Sequence, residues 1–239
     1  ARLAPERALE LLDTALVSES LCEQQAALAV LAEMKTPAAD ERLAAWLDRL
    51  IAGQAPPGLH LDLIAAATLR GTPDIKVKLK QFAAAKAKDD PLADFRECLE
   101  GGDAERGRRV AVERVDLSCI RCHKVDEYGG LVGPDLSKIG GKQPREYLLE
   151  AIVLPNRSIA KGFESVLITT VEGKVISGVL RGEDADSLQL VQADGVPVTI
   201  AKQDIEDRVA AKSPMPDDLA KKLSKSDLRD LVEFLSSLK

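Results

Sequence analysis

Two cysteines, Cys119 and Cys122, stand three residues apart, and His123 follows the second directly. Few chemistries use that spacing. Two thiols so placed can each add to one vinyl group of a haem, and the adjoining imidazole can present a ring nitrogen to the iron. A redox dithiol and one half of a zinc site use the same pair. The first belongs at a helix start in a βαβ unit, and the second needs another ligand pair. The remaining cysteines, Cys22 and Cys98, are isolated, and the only other histidine is His60. The motif and its context therefore point to one covalently attached haem c and its iron. Whether Cys22 and Cys98 are bridged is left open, because the spacing does not place their Cα atoms.

The glycine-rich stretch Gly129-Gly130-Leu131-Val132-Gly133-Pro134-Asp135-Leu136 comes next. Its glycines let backbone run close to a flat group. The Pro134 carbonyl is expected to accept a hydrogen bond from the free ring nitrogen of His123, orienting the ring and strengthening it as a donor. Further on, Met215 lies between Pro214 and Pro216. A thioether on so stiff a loop suits a second axial ligand, and a soft sulfur favours ferrous iron. Met34, the other methionine, has helical spacing with Leu31 and reads as core. His60 follows a Pro-Gly break and reads as an exposed or capping residue. Lys76, Lys78, Lys80, Lys86 and Lys88 read as a solvated basic face, with docking to an acidic redox partner as the alternative.

Hydrophobic periodicity divides the 239 residues in two. Residues 1–98 read as helices, broken at Thr36-Pro37, at residues 53–58, at Gly71-Thr72-Pro73 and at Asp89-Asp90-Pro91. The Thr-Pro pairs lie 36 residues apart, each between two apolar helical stretches. This weak repeat of helix pairs resembles HEAT-type units; a plain helical bundle is the alternative. Residues 99–239 open with a helix over 104–114, carry another over 144–154, and close with an amphipathic one over 224–238. Between them, residues 163–201 change to period two. They predict a four-stranded antiparallel meander inside an insert of about 163–205, with turns at Glu172-Gly173-Lys174 and Ala193-Asp194-Gly195.

The formal charge of −6 argues against a nucleic-acid partner, and no apolar run is long enough to span a membrane. The chain opens at Ala1 within a helical pattern, as expected of a mature protein or a piece of a longer one. Paired thiols must be reduced when haem is attached, which is usually done outside the cytoplasm, so a periplasmic or otherwise exported location is expected.

Three features in order resemble class I cytochrome c: a Gly-Asp-Ala-x-Arg-Gly-Arg opening helix, the Cys-x-x-Cys-His motif with its downstream Gly-Pro-x-Leu, and a Met loop before a C-terminal helix. Residues from about 100 to 239 more narrowly resemble the Pirellula/Verrucomicrobium-type haem-binding domain family. The matching segments are Cys-Ile-Arg-Cys-His-Lys-Val, Gly-Gly-Leu-Val-Gly-Pro-Asp-Leu, Leu-Leu-Glu-Ala-Ile-Val-Leu-Pro-Asn, the β insert, Ser-Pro-Met-Pro-Asp-Asp-Leu and Asp-Leu-Val-Glu-Phe-Leu-Ser-Ser-Leu. The resemblance implies a mainly α chain: HEAT-like helices, then a cytochrome c fold with a small antiparallel β insert. It implies that Cys119 and Cys122 hold the haem and that His123 and Met215 ligate iron. In that family the domain commonly ends a large exported protein, after a dehydrogenase-like β-propeller and HEAT-like helices. The opening helix departs from the pattern, with Val110-Ala111-Val112 where an aromatic is often found. The implied role is single-electron transfer from a fused or docked dehydrogenase to a respiratory carrier, with no catalytic residue. An open-iron haem enzyme or gas sensor, and a scaffold with structural haem, are the rival readings.

Overall fold

A computed structural model describes residues 5–239. The expected N-terminal region begins at residue 1, and its first four residues lie outside the described ones. The chain divides into two compact units, residues 1–102 and 103–239.

The first unit holds α1 (Pro5–Leu16), α2 (Leu21–Glu33), α3 (Pro37–Ile51), α4 (His60–Arg70) and α5 (Pro73–Ala85). Each Thr-Pro pair starts a helix. Thr36 caps α3 by accepting from the Ala39 amide, and Pro37 and Pro73 occupy first turns, where a missing N–H costs nothing. Gly71, at φ +60, ends α4 in the left-handed conformation that suits a residue without Cβ. Helix α2 packs on α4 and α3 on α5, so the second helix pair stacks on the first. Leu28, Leu31, Leu43, Leu47, Leu63 and Ile75 fill the core between them, with Met34 against its edge.

Cys22 is exposed and Cys98 is buried, and no disulfide joins them. The His60 ring lies 3.0 Å from the Ala55 carbonyl. Part of the lysine run is engaged internally: Lys78 pairs with Asp48, and Lys86 reaches buried Glu97 at 3.4 Å.

The second unit contains α6 (Ala104–Glu113), α7 (Cys119–Cys122), the short strands β1 (Lys124–Val125) and β2 (Tyr128–Gly129), and α8 (Arg145–Val153). Then come β3 (Ser165–Thr170), β4 (Val175–Glu183), β5 (Ser187–Val191), β6 (Pro197–Ala201) and β7 (Ile205–Ala211), followed by α9 (Leu219–Lys222) and α10 (Lys225–Ser237). Helices α6 and α10 are capped at their N-termini, by Asp103 and by a Ser224/Asp227 capping box. They cross at Gly107, where a Cβ would lie 1.9 Å from the Asp230 carbonyl oxygen. The buried Asp230 carboxylate accepts from the Asp103 amide and from Arg106 Nε, both at 2.8 Å, which ties the start of α6 to α10. Arg145 grips Glu233 with a two-pronged pair at 2.7 and 2.8 Å and fastens α8 to the same helix.

The expectation of a mainly α chain, a cytochrome c fold with a small insert, fails. The protein is about 49% helical and carries a five-stranded antiparallel sheet besides the two-stranded β1–β2 pair. The sheet order is β6-β5-β4-β3-β7, so the four-strand meander gains a fifth strand that returns to pair with β3. Strand β7 escapes sequence reading because it has no buried face. Its core Glu206-Asp207-Arg208-Val209-Ala210 is exposed throughout, so no period-two apolar alternation marks it. Its pairing with β3 is a long-range choice that local pattern does not encode. The sheet also has a core of its own, Val166, Ile168, Ile176, Leu188, Leu190 and Ile200. Among the described residues no helix is long and apolar enough to cross a membrane.

Candidate functional site

The motif forms a single tight turn of helix. Ser118, at φ +52, bends the chain into Cys119, and the His123 amide closes the turn on the Cys119 carbonyl at 2.9 Å. A left-handed serine is uncommon, and such residues gather where surrounding structure enforces a functional geometry. The glycine stretch then folds back along the motif. The amides of Gly130, Gly133 and Leu136 donate to the carbonyls of Ile120, Cys122 and Lys124, each at 2.8 Å. These bonds hold two backbones so close that a Cβ on Gly130 would sit 2.0 Å from the Arg121 oxygen. Gly133 faces the imidazole itself, and a Cβ there would meet His123 Cε1 at 2.4 Å.

His123 Nδ1 lies 2.9 Å from the Pro134 carbonyl oxygen, the bond expected from the sequence. A carbonyl only accepts, so Nδ1 must carry the proton and Nε2 keeps its lone pair. Burial lowers the His123 pKa, against a smaller opposing push from the Pro134 bond. Its neutral, ligating form therefore persists to lower pH than that of a free imidazole. This has a sign that can be measured. The unfolded chain takes up the proton near the ordinary value of about 6.5, the folded chain at lower pH. Between those values the unfolded state holds more protons, so stability is full above the window and falls as pH drops through it. Haem-free protein should thus lose stability by urea titration as pH falls from neutrality through about 6.5 and below, and His123→Gln should lose less over the same range. Identical slopes would refute the burial effect.

Both thiols are shifted the other way. Burial raises the pKa of Cys119 and of Cys122. A reactive dithiol needs a lowered thiol pKa, and here a β1–β2 hairpin, not a βαβ unit, follows the motif. A structural zinc ion needs four ligands. Among the described residues no three His, Cys, Asp or Glu side chains are grouped to hold a metal ion. The raised thiol pKa values and the hairpin weigh against a redox dithiol.

One cleft brings the sequence-predicted residues together. Cys119, Cys122, His123, Pro134 and Met215 all line it, with about 250 Å³ of room for water-sized molecules. Its walls are mostly apolar and come from α6, α8 and α10 as well as the motif, including Ala111, Leu148, Ile152, Leu231 and Phe234. Met215 also packs with Cys119 against Val110, Leu117 and Leu219. The Met215 loop is pinned by two bonds: its own amide donates to Ser213 Oγ at 3.2 Å, and the Ser213 amide donates to Asn156 Oδ1 at 2.9 Å. Asn156 is a site residue that sequence reasoning passed over, because a lone Asn after a helix-ending proline looks like an ordinary turn.

The donor set fits a c-type haem. Two thiols, one neutral imidazole with a free Nε2 and one thioether face the same apolar cleft. No family model matches the sequence, and no curated protein is significantly similar to it.

Proposed function

We propose that the second unit would hold one haem c covalently through Cys119 and Cys122, with His123 and Met215 as the ligands to its iron, and that the chain is a monohaem electron-transfer module. The observation that carries this reading is the convergence of both thiols, His123 and Met215 on one apolar cleft. Bound there, haem iron would supply a one-electron couple. The chain's own residues do the rest. Pro134 fixes the His123 tautomer so that Nε2 is available as donor. Gly133 leaves room for the ring. Asn156 and Ser213 hold the Met215 loop in place. Apolar walls from α8 and α10 limit water, which favours a stable ligand set over exchange. On this reading the chain has no catalytic acid or base. Its donor is a fused or docked dehydrogenase, its acceptor a respiratory carrier, and its compartment periplasmic or otherwise exported.

The test is an absorption spectrum, oxidised and reduced, of protein made with cytochrome c maturation machinery. Sharp low-spin bands on reduction and a weak far-red methionine-to-ferric-iron band are expected. A high-spin spectrum that shifts at once with carbon monoxide or cyanide would replace the carrier reading with an open-iron enzyme or sensor. Met215→Ala should lose the far-red band, turn high-spin or water-ligated, and fall in potential, since the thioether favours ferrous iron. An unchanged spectrum and potential would remove Met215 from the ligand set.

A further inference from the structure

The sheet meets the cleft at one irregular residue. Strand β4 pairs with β5 in regular register as far as Leu180 opposite Leu190, and resumes with Gly182 opposite Gln189. Arg181 is the extra residue of the β-bulge between them. A bulge takes one residue out of the ladder and turns its side chain away from the two-residue alternation, which is one way sheets re-aim a side chain beside a site. The guanidinium lies 4.2 Å from the centre of the Phe163 ring. Its Nη1 donates to the Gly162 carbonyl at 3.2 Å. Its Nη2 donates to the Leu131 carbonyl and, at 3.4 Å, to the Val132 carbonyl.

Two of these contacts fall on the loop that leads to the imidazole. Phe163 and Val132 line the cleft. Leu131 and Val132 lead directly into Gly133, which abuts the His123 ring, and Pro134, which accepts its Nδ1 proton. One planar cation therefore grips a wall of the cleft with its face and the ring-orienting loop with its edge. An ammonium has no plane to stack on the ring, and its three donors radiate from a single nitrogen, so lysine does not reproduce a grip that uses two separate nitrogens and a flat face.

We propose that Arg181 is a positioning residue for His123: the β-bulge aims it at the loop Leu131–Pro134, and through that loop the sheet sets the orientation of the imidazole. The relevance of this to iron ligation rests on the haem reading; the grip on the loop does not.

The test uses the full chain as wild type, Arg181→Ala and Arg181→Lys, without haem and after maturation. In haem-free protein, hydrogen exchange at the Gly133 amide should quicken by about tenfold in Arg181→Ala, the signature of local opening. The Ile168 and Leu190 amides in the sheet should be unaffected. The His123 Nδ1 proton, protected by Pro134 in the wild type, should give an NMR signal that broadens or disappears. Arg181→Lys should behave like Arg181→Ala, whereas a surface cation acting by charge alone would be rescued. Wild-type exchange at Gly133 with an intact Nδ1 signal in Arg181→Ala, or full rescue by lysine, would overturn the proposal. Covalent haem staining of the matured chains separates the two readings. Wild-type protein without covalent haem would end the haem reading, and loop opening in the haem-free variant would still establish the role of Arg181.

Discussion

Replacing Cys119 and Cys122 together with alanine should leave a chain that keeps no haem through denaturing electrophoresis, while the wild type matured in the same cells stains strongly. Among the described residues, the thiols are the only groups facing the cleft that can form carbon–sulfur bonds to two vinyl groups. They sit one helical turn apart on a segment whose backbone is fastened by Gly130 and Gly133. Alanine preserves that turn and leaves His123 and Met215 in place, so haem could still enter the cleft. What disappears is the covalent link, and with it the retention in denaturant. Single variants should keep one thioether and stain more weakly. Retained stain in the double variant would overturn the assignment of the motif. Absence of stain in the wild type would do the same from the other side.

Gly107→Val should be the most damaging single substitution in the second unit. A Cβ at Gly107 would lie 1.9 Å from the Asp230 carbonyl oxygen and 2.8 Å from Phe234 Cβ. Real Cβ atoms essentially never approach other atoms below 3.0 Å. The obstacle is helix backbone, which cannot swing aside as a long side chain would. Helices α6 and α10 must therefore separate, and the Asp230 carboxylate loses its hold on the Asp103 amide and Arg106. Overpacking of this kind costs about 3 kcal/mol or more. That is a large part of the ~5–15 kcal/mol that a typical domain has. Urea unfolding of the haem-free chain should show the loss, with hydrogen exchange quickened in α6 and α10. Because Ala111, Leu231 and Phe234 line the cleft, the variant should also hold less haem after maturation. A change within ~0.5 kcal/mol, the range of an ordinary surface substitution, would mean the helices do not cross as described.

Much of the candidate site is legible in the sequence because its parts are short-range. Cys119, Cys122 and His123 are adjacent, and the Pro134 bond closes over eleven residues of glycine-rich chain, a segment with few ways to fold back. Helix starts are equally local. A Thr or Ser side chain, or a proline in the first turn, marks α3, α5 and α10 without reference to the rest of the chain.

The chain's sequence by itself determined the residue chemistry of the motif, the approximate bounds of seven helices (α2 to α6, α8 and α10) and four of the sheet's strands, because each depends on neighbours within a few turns or one hairpin. Tertiary structure alone decided how large the sheet is, since β7 carries no apolar alternation and is recruited by its pairing with β3. It alone brought Asn156 to the Met215 loop, 57 residues away, and Arg181 to the loop before Gly133, 50 residues away. Hydrogen bonds of that span have no periodic signature. They depend on two segments arriving at one place, and a linear pattern records only what each segment does alone.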